Sequence, residues 1–146
     1  MPKKQKGNKR LQPEQELITE DDFEEKLDVK ACLSRIQQTE DIDEIIELTR
    51  VDHPLVRLKA TQQMCPCRVK YDEPAFWKRV FELAEDEDPK VREQVLHNMC
   101  DGSPADYEDK VAECLEKFNR DPDSYIRRRA HKVIACYERT GKWNIL

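Results

Sequence analysis

The stretch DHPLVRLKA at residues 52–60 has two counterparts further along the chain, EDEDPKVREQV at 85–95 and DPDSYIRRRA at 121–130. In each stretch an arginine directly follows a β-branched residue, and these arginines, Arg57, Arg92 and Arg127, stand 35 residues apart. Apolar residues keep the same spacing on both sides of them, in the columns Ala60/Val95/Ala130, Met64/Met99/Ile134, Ile45/Val80/Leu115 and Leu48/Leu83/Phe118. A period of roughly 20 to 50 residues is typical of stacked pairs of helices. The sequence therefore predicts an internal repeat of helix pairs.

Composition agrees with an all-α chain. Of the 146 residues 39% are charged and only 38% are hydrophobic, a low apolar share for one central core. Thin repeat layers tolerate this composition, because both outer surfaces of each layer meet water. The chain has only three glycines and lacks the alternation of apolar and polar residues that is typical of strands.

The compartment is inferred from what the sequence lacks. No apolar run is long enough to cross a membrane, and the segment MPKKQKGNKR at 1–10 has no apolar core of a secretory signal. We expect a cytoplasmic protein, with the nucleus also open, and no membrane partner. Because disulfides are rare in reducing compartments, the six cysteines are expected to be free thiols.

Charge and turn residues divide the chain into three parts. Residues 1–15 are expected to form a flexible basic tail, and 16–40 an acidic segment whose helix, roughly Glu20 to Gln37, caps the stack. Residues 41–146 hold three repeats at about 41–70, 74–103 and 104–140, followed by a short apolar tail that begins at Lys142.

Prolines and a glycine mark the helix boundaries within the repeats. The second helix of the first repeat is expected from Pro54 to Cys65, that of the second repeat ends near Cys100, and Gly141 ends that of the third. The turn at 121–123 is predicted to be two residues longer than the others, because Ile126 lies four residues after its proline whereas Val91 lies two after Pro89.

The three quoted stretches resemble the D-P-x-V-R-x-x-A signature at the turn and second helix of HEAT repeats. The resemblance covers about residues 41 to 140. It implies a short α-solenoid of three helix pairs, in which the second helices line the inner surface and the first helices form the outer one. It implies no single activity, because HEAT repeats act as protein-binding scaffolds, as nucleic-acid binders and occasionally as catalytic shells.

The recurring arginines have two interpretations. Arg57, Arg92 and Arg127 could bind phosphates or acidic partners, since a guanidinium group suits both. We favour a structural ladder, because stacking requires the same residue at the same place in every layer. The expected partners are carbonyl groups and turn aspartates of the same layer and of adjacent layers. The aspartates are Asp52, Asp88 and Asp121 or Asp123.

Positions that differ from repeat to repeat are better candidates for binding. A helical wheel with 100° per residue places a solvent-facing stripe on the second helices, formed in the first repeat by Leu58, Lys59, Gln62 and Cys65 and by the equivalent positions 35 and 70 residues on. From this stripe we predict a partner-binding surface made of Lys59, Gln62, Gln94, His97, Arg128, Arg129 and Lys132.

Two classes of partner remain open for this surface. A protein, with an acidic segment as one option, is the first expectation. Nucleic acid is the alternative, bound by the basic third repeat together with the basic tail. The net charge of −5 and the pI near 5.3 speak against nucleic acid.

A metal site and an enzyme were weighed as well. Cys65, Cys67, His97 and Cys100 could converge on one face and bind zinc. Their C-P-C spacing departs from the usual C-x-x-C, however, and cysteine is a common apolar filler in helical packing. No glycine-rich loop or acid pair accompanies the cysteines. We therefore expect no metal, no cofactor, no small-molecule substrate and no catalysis.

Overall fold

The computed structural model describes residues 20–66 and 73–142, with side chains from residue 28 onward. Within these residues the chain forms seven α-helices and no strand, so the all-α prediction is confirmed. The helices are α1 (Glu20–Gln38), α2 (Ile42–Leu48), α3 (Pro54–Gln63), α4 (Pro74–Leu83), α5 (Pro89–Cys100), α6 (Glu108–Phe118) and α7 (Ser124–Thr140). The expected basic tail, Cys67 and the apolar segment after Lys142 lie outside the described residues.

The helices pack as consecutive pairs. α2 packs with α3, α4 with α5, and α6 with α7, while α1 lies against α2 and α3. The second helices of the pairs also touch each other in order, since α5 contacts both α3 and α7. The helix α5 is therefore covered on two flanks, which matters for its cysteine and for the site below.

The predicted apolar columns form the core. Val56, Val91 and Ile126 are at most 1% exposed, and the columns that begin at Ala60 and Ile45 are buried throughout. Leu48 and Ile134, the two column members that are only partly buried, belong to the first and third pairs. Burial of one such side chain contributes about 1.5–3 kcal/mol.

Trp77 lies in the core between the second and third helix pairs. It is 2% exposed and meets the ring of Phe76 edge-on at 5.2 Å. Tyr107, in a short 3-10 turn before α6, stacks on Trp77 at 5.6 Å. An aromatic contact therefore joins the third helix pair to the second.

Aspartate caps set the starts of α5 and α7, and they correct the predicted turn of the third repeat. Asp88 accepts hydrogen bonds from the N–H groups of Lys90 and Val91, and Asp123 does the same for Tyr125 and Ile126. The two caps have nearly identical backbone angles, φ −84° and ψ 122° against φ −81° and ψ 123°. The third turn is therefore not longer. Its proline stands in the turn, and Ser124 occupies the first helical position that Pro89 fills in the second repeat.

The ends of two helices also have clear causes. α3 ends at Gln63, two residues before the predicted Cys65, because the proline at 66 disfavours helical backbone in the residue before it. α7 ends where Gly141 adopts φ +70°, a left-handed conformation that favours glycine. None of the helices among the described residues combines the length and apolar character needed to cross a membrane.

Candidate binding site on the second helices

Two arginines of the repeat column connect consecutive helix pairs. Arg57 on α3 donates from Nε and Nη2 to the carboxylate of Asp86, at 2.9 and 3.2 Å. Arg92 on α5 donates in the same way to Asp121, at 2.8 and 2.9 Å. Each aspartate lies 29 residues downstream, in the turn of the following pair. Both ion pairs are largely buried, so these guanidinium groups serve the packing of the helix pairs.

The same arginines also hold the turn of their own repeat. Nη1 of each donates to the carbonyl oxygen six residues upstream, on Val51 for Arg57, Asp86 for Arg92 and Asp121 for Arg127. All three arginines therefore hold turns, but the carboxylate partners of Arg57 and Arg92 differ in part from those predicted. Only Asp121 was among the expected aspartates, whereas Asp88 and Asp123 cap helices instead.

The electrostatics of Asp121 reflect this arrangement. Burial disfavours its ionised form, but hydrogen bonds from Arg92 and from the backbone N–H of Asp123 outweigh burial and lower the pKa of the carboxyl group. Arg127 keeps only the carbonyl contacts and forms no salt bridge within the described part of the chain.

A cleft of about 370 Å³ runs across α3, α5 and α7. Its walls come from all three second helices and consist of Leu58, Gln62, Lys90, Glu93, Gln94, His97 and Arg129. A volume in this range is large enough for the side chains of a bound ligand.

The side chain of Arg129 is positioned in the cleft by Tyr125. Its Nη1 donates to Oη of Tyr125 at 2.7 Å, and its guanidinium carbon lies 5.4 Å from the centre of that ring. Glu93 is the nearest carboxylate, with Oε1 3.9 Å from Nη1, a distance too long for a hydrogen bond. The Nε atom of Arg129 is buried and has no hydrogen-bond partner within the described residues.

A buried amide chain fixes the middle of the cleft. Gln94 donates from Nε2 to Oδ1 of Asn98 at 2.9 Å, and Asn98 donates from Nδ2 to the carbonyl oxygen of Thr61 at 2.9 Å. Asn98 is fully buried. Because an unsatisfied buried amide is costly, this chain holds α5 at one position against α3.

The structure brings together four of the seven predicted binding residues, which are Gln62, Gln94, His97 and Arg129. Lys59, Arg128 and Lys132 are exposed but do not line the cleft. The prediction of binding residues missed Lys90, which lies one helical turn before Gln94 and was detectable by that spacing.

The cysteines occupy unlike environments. Cys100 was expected on the exposed stripe, but it is fully buried, and burial raises the pKa of its thiol to about 12. Cys65 is partly exposed and donates from Sγ to Oδ2 of Asp101 at 3.0 Å. The expected equivalence fails because α5 is flanked by α3 and α7, whereas Cys65 follows the end of α3. Within 20–66 and 73–142 no three or more His, Cys, Asp or Glu side chains are grouped to hold a metal ion.

Comparisons with protein-family models, with curated proteins and with solved structures find no match to this chain. The HEAT-like interpretation therefore stays a prediction from the repeat pattern.

Proposed function

We propose that this chain is a non-catalytic HEAT-like repeat module that binds a segment of another protein across its second helices. The solenoid part of the proposal is supported by the 35-residue register and by the two arginine–aspartate pairs that join consecutive helix pairs. In this arrangement α3, α5 and α7 form one continuous surface, and α2, α4 and α6 form the other.

The observation that supports binding most directly is the cleft and its guanidinium group. Residues that are equivalent in the repeat differ where they line the cleft, as with Leu58 and Glu93, or Gln94 and Arg129. Packing alone would not require such differences, because the buried columns use similar residues in every repeat. A cleft with differing walls suits a ligand with an irregular sequence, such as a peptide.

The test is to map the binding of peptides selected for affinity. Peptides from a random displayed library would be selected against the full chain and then titrated into ¹⁵N-labelled protein, with the amide NMR shifts followed. We expect the shift changes to cluster on α3, α5 and α7. Changes confined to α2, α4 and α6 would refute the proposal.

A pair of matched variants sharpens this test. Gln62→Trp places a large side chain in the cleft and should weaken binding of the selected peptides. Lys110→Trp introduces the same side chain at an exposed position on α6 and should leave binding unchanged. Equal effects of the two variants would contradict the assignment of the surface.

Nucleic acid is the second candidate partner, because the basic side chains of Arg128 and Lys132 are exposed on α7. The same NMR titration can be carried out with an oligonucleotide. A single-stranded oligonucleotide bound through phosphates would lose affinity steeply with salt, along a straight line on a log–log plot. If an oligonucleotide binds strongly and with steep salt dependence while no peptide binds, the proposed partner is nucleic acid and not a protein.

A further inference from the structure

Resting on the proposed function, we infer that the cleft selects a segment with an acidic side chain paired with Arg129 and an apolar side chain against Leu58. We infer further that Glu93 competes with the acidic side chain for Arg129 in the unbound protein.

Two other arginines of the second helices already bind carboxylates, although they lie in the buried packing between helix pairs and not in the cleft. Arg57 and Arg92 each bind a carboxylate with two donors, Nε and Nη2. Arg129 uses Nη1 for Tyr125, and its side chain remains 28% exposed. A carboxylate that enters the cleft can pair with the exposed part of the guanidinium group, and charge-assisted pairing of this kind is strong.

Tyr125 holds the guanidinium group of Arg129 in one position before a ligand binds. The phenol oxygen and the face of the ring both hold Arg129, so little side-chain freedom remains to be lost when a ligand binds. Tyr125 is itself 44% exposed, which leaves its ring accessible beside the cleft.

Glu93 supplies the competing charge. Its carboxylate is close enough to Arg129 to attract it, but it forms no hydrogen bond with it. An incoming carboxylate would therefore meet repulsion from Glu93 and attraction from Arg129 and Lys90. The balance favours an acidic ligand, since two cations face one anion in the wall of the cleft.

The opposite end of the cleft is apolar. Leu58 lines it on α3, and Leu55, one turn earlier on the same helix, is 42% exposed. Leu55, Lys90 and Tyr125 are equivalent positions of the three repeats, so this column changes from apolar on α3 to cationic on α5 and aromatic on α7. The cleft thus has a direction, with apolar contacts on α3 and the cationic contact on α7.

The distance between α3 and α7 sets how far apart the apolar and acidic side chains must be in the ligand. Packed helices lie about 8–10 Å apart, so α3 and α7, separated by α5, are about 16–20 Å apart. An extended chain advances about 3.3–3.6 Å per residue. The apolar and acidic side chains of the ligand should therefore be about five or six residues apart.

The test uses synthetic peptides that contain one leucine and one glutamate separated by serines, with a glutamine version of each as control. NMR titration of the ¹⁵N-labelled full chain detects weak binding. We expect tightest binding when about four or five serines intervene, and about tenfold or more weaker binding after glutamate is replaced by glutamine.

Variants of the chain separate the roles of the two charges. Arg129→Gln should remove the preference for glutamate over glutamine, and Arg129→Lys should restore only part of it, because lysine lacks the planar fork. Glu93→Gln should strengthen binding of the glutamate peptide about two- to fivefold and leave the glutamine peptide unchanged. Arg139→Gln on α7 and Glu116→Gln on α6 make the same charge changes at exposed positions away from the cleft and should have no effect.

The inference is overturned if the glutamate and glutamine peptides bind equally, if no designed peptide binds, or if Glu93→Gln affects both peptides alike. In each of these cases library-selected peptides that still map to α3, α5 and α7 would leave the proposed function intact. Selected peptides that map elsewhere would remove the proposed function itself.

Discussion

Replacing Arg92 with alanine should destabilise the fold far more than the same replacement of Arg127, although the two arginines are equivalent in the repeat. Arg92 donates two hydrogen bonds to the carboxylate of Asp121, and the side chains are only 12% and 5% exposed. Its removal leaves Asp121 buried without its counterion. Breaking a buried pair in this way costs about 3–5 kcal/mol.

Part of this cost is offset by a contact that survives the substitution. Oδ1 of Asp121 still accepts the backbone N–H of Asp123 at 2.8 Å, so we expect the lower end of the range, about 3 kcal/mol. For a chain of this size each kcal/mol corresponds to about 2–4 °C, which gives a decrease in Tm of about 6–12 °C.

Arg127→Ala is the matched control. Arg127 is exposed, and among the described residues it donates to the carbonyl oxygens of Asp121 and Pro122 alone. Its loss should therefore cost about 1 kcal/mol and lower the Tm by about 2–4 °C. The Tm and the free energy of unfolding of both variants are measured by thermal and urea unfolding, with circular dichroism as the signal.

A double variant tests whether the effect comes from the pair. Arg92→Ala combined with Asp121→Ala should be less destabilising than the sum of the single changes, because the unpaired buried carboxylate is then absent. Additive effects, or a Tm decrease for Arg127→Ala as large as that for Arg92→Ala, would refute the assignment of the ladder.

Three further predictions follow from individual side chains. Folding lowers the pKa of Asp121 from the ordinary value of 3.8, so the stability that its carboxylate contributes should be complete above that pH and should be lost as pH falls through the lower folded pKa. The stability of Asp121→Asn should lack this pH-dependent loss in acid unfolding, and an acid-unfolding profile equal to that of the original chain would contradict the pairing. Cys100 is fully buried and its thiol has a pKa of about 12, so it should resist alkylation in the native protein at mildly alkaline pH, whereas the partly exposed Cys136 should react. Peptide mass spectrometry measures the labelling of both cysteines, and equal labelling would show that Cys100 is accessible. Asn98→Ala should lower stability by about 0.5–1.5 kcal/mol in urea unfolding, since it removes one hydrogen bond to the buried carbonyl of Thr61, which keeps the N–H of Met64 as a donor. A smaller change would mean that the amide chain does not fix α5.

The repeat period predicted the helical class and the buried columns because both follow from local spacing. Val56, Val91 and Ile126 had to share one environment once the same 35-residue step recurred in several columns. Local spacing could not show which aspartate each arginine binds. The position of Arg92 is compatible with an aspartate in the turn of its own repeat or in the turn of the next repeat. Only the stacking of the helix pairs places Asp121 within hydrogen-bond distance of Arg92.

The third turn illustrates a different limit. Aligning the repeats by proline placed two extra residues after Pro122, whereas the structure aligns Asp123 with Asp88. In α5 and α7 an aspartate side chain accepts hydrogen bonds from the first N–H groups of the helix, and proline at the first position is only a preference. For these two repeats the aspartate cap is therefore the better guide to register, and Ser124 can stand where Pro89 stands in the preceding repeat.

Helical spacing placed four of the cleft residues on the predicted stripe, but the composition of the cleft depended on the neighbours of each helix. Arg127 and Arg129 show how closely the two roles lie in sequence. Arg127 continues a column in which every repeat has arginine, and its guanidinium group serves the turn. Arg129 stands in a column with Lys59 and Gln94, and its guanidinium group faces a cleft that the other second helices complete. The position within the repeat therefore decides the role of each arginine, and positions where successive repeats differ are where a ligand of defined sequence can be recognised.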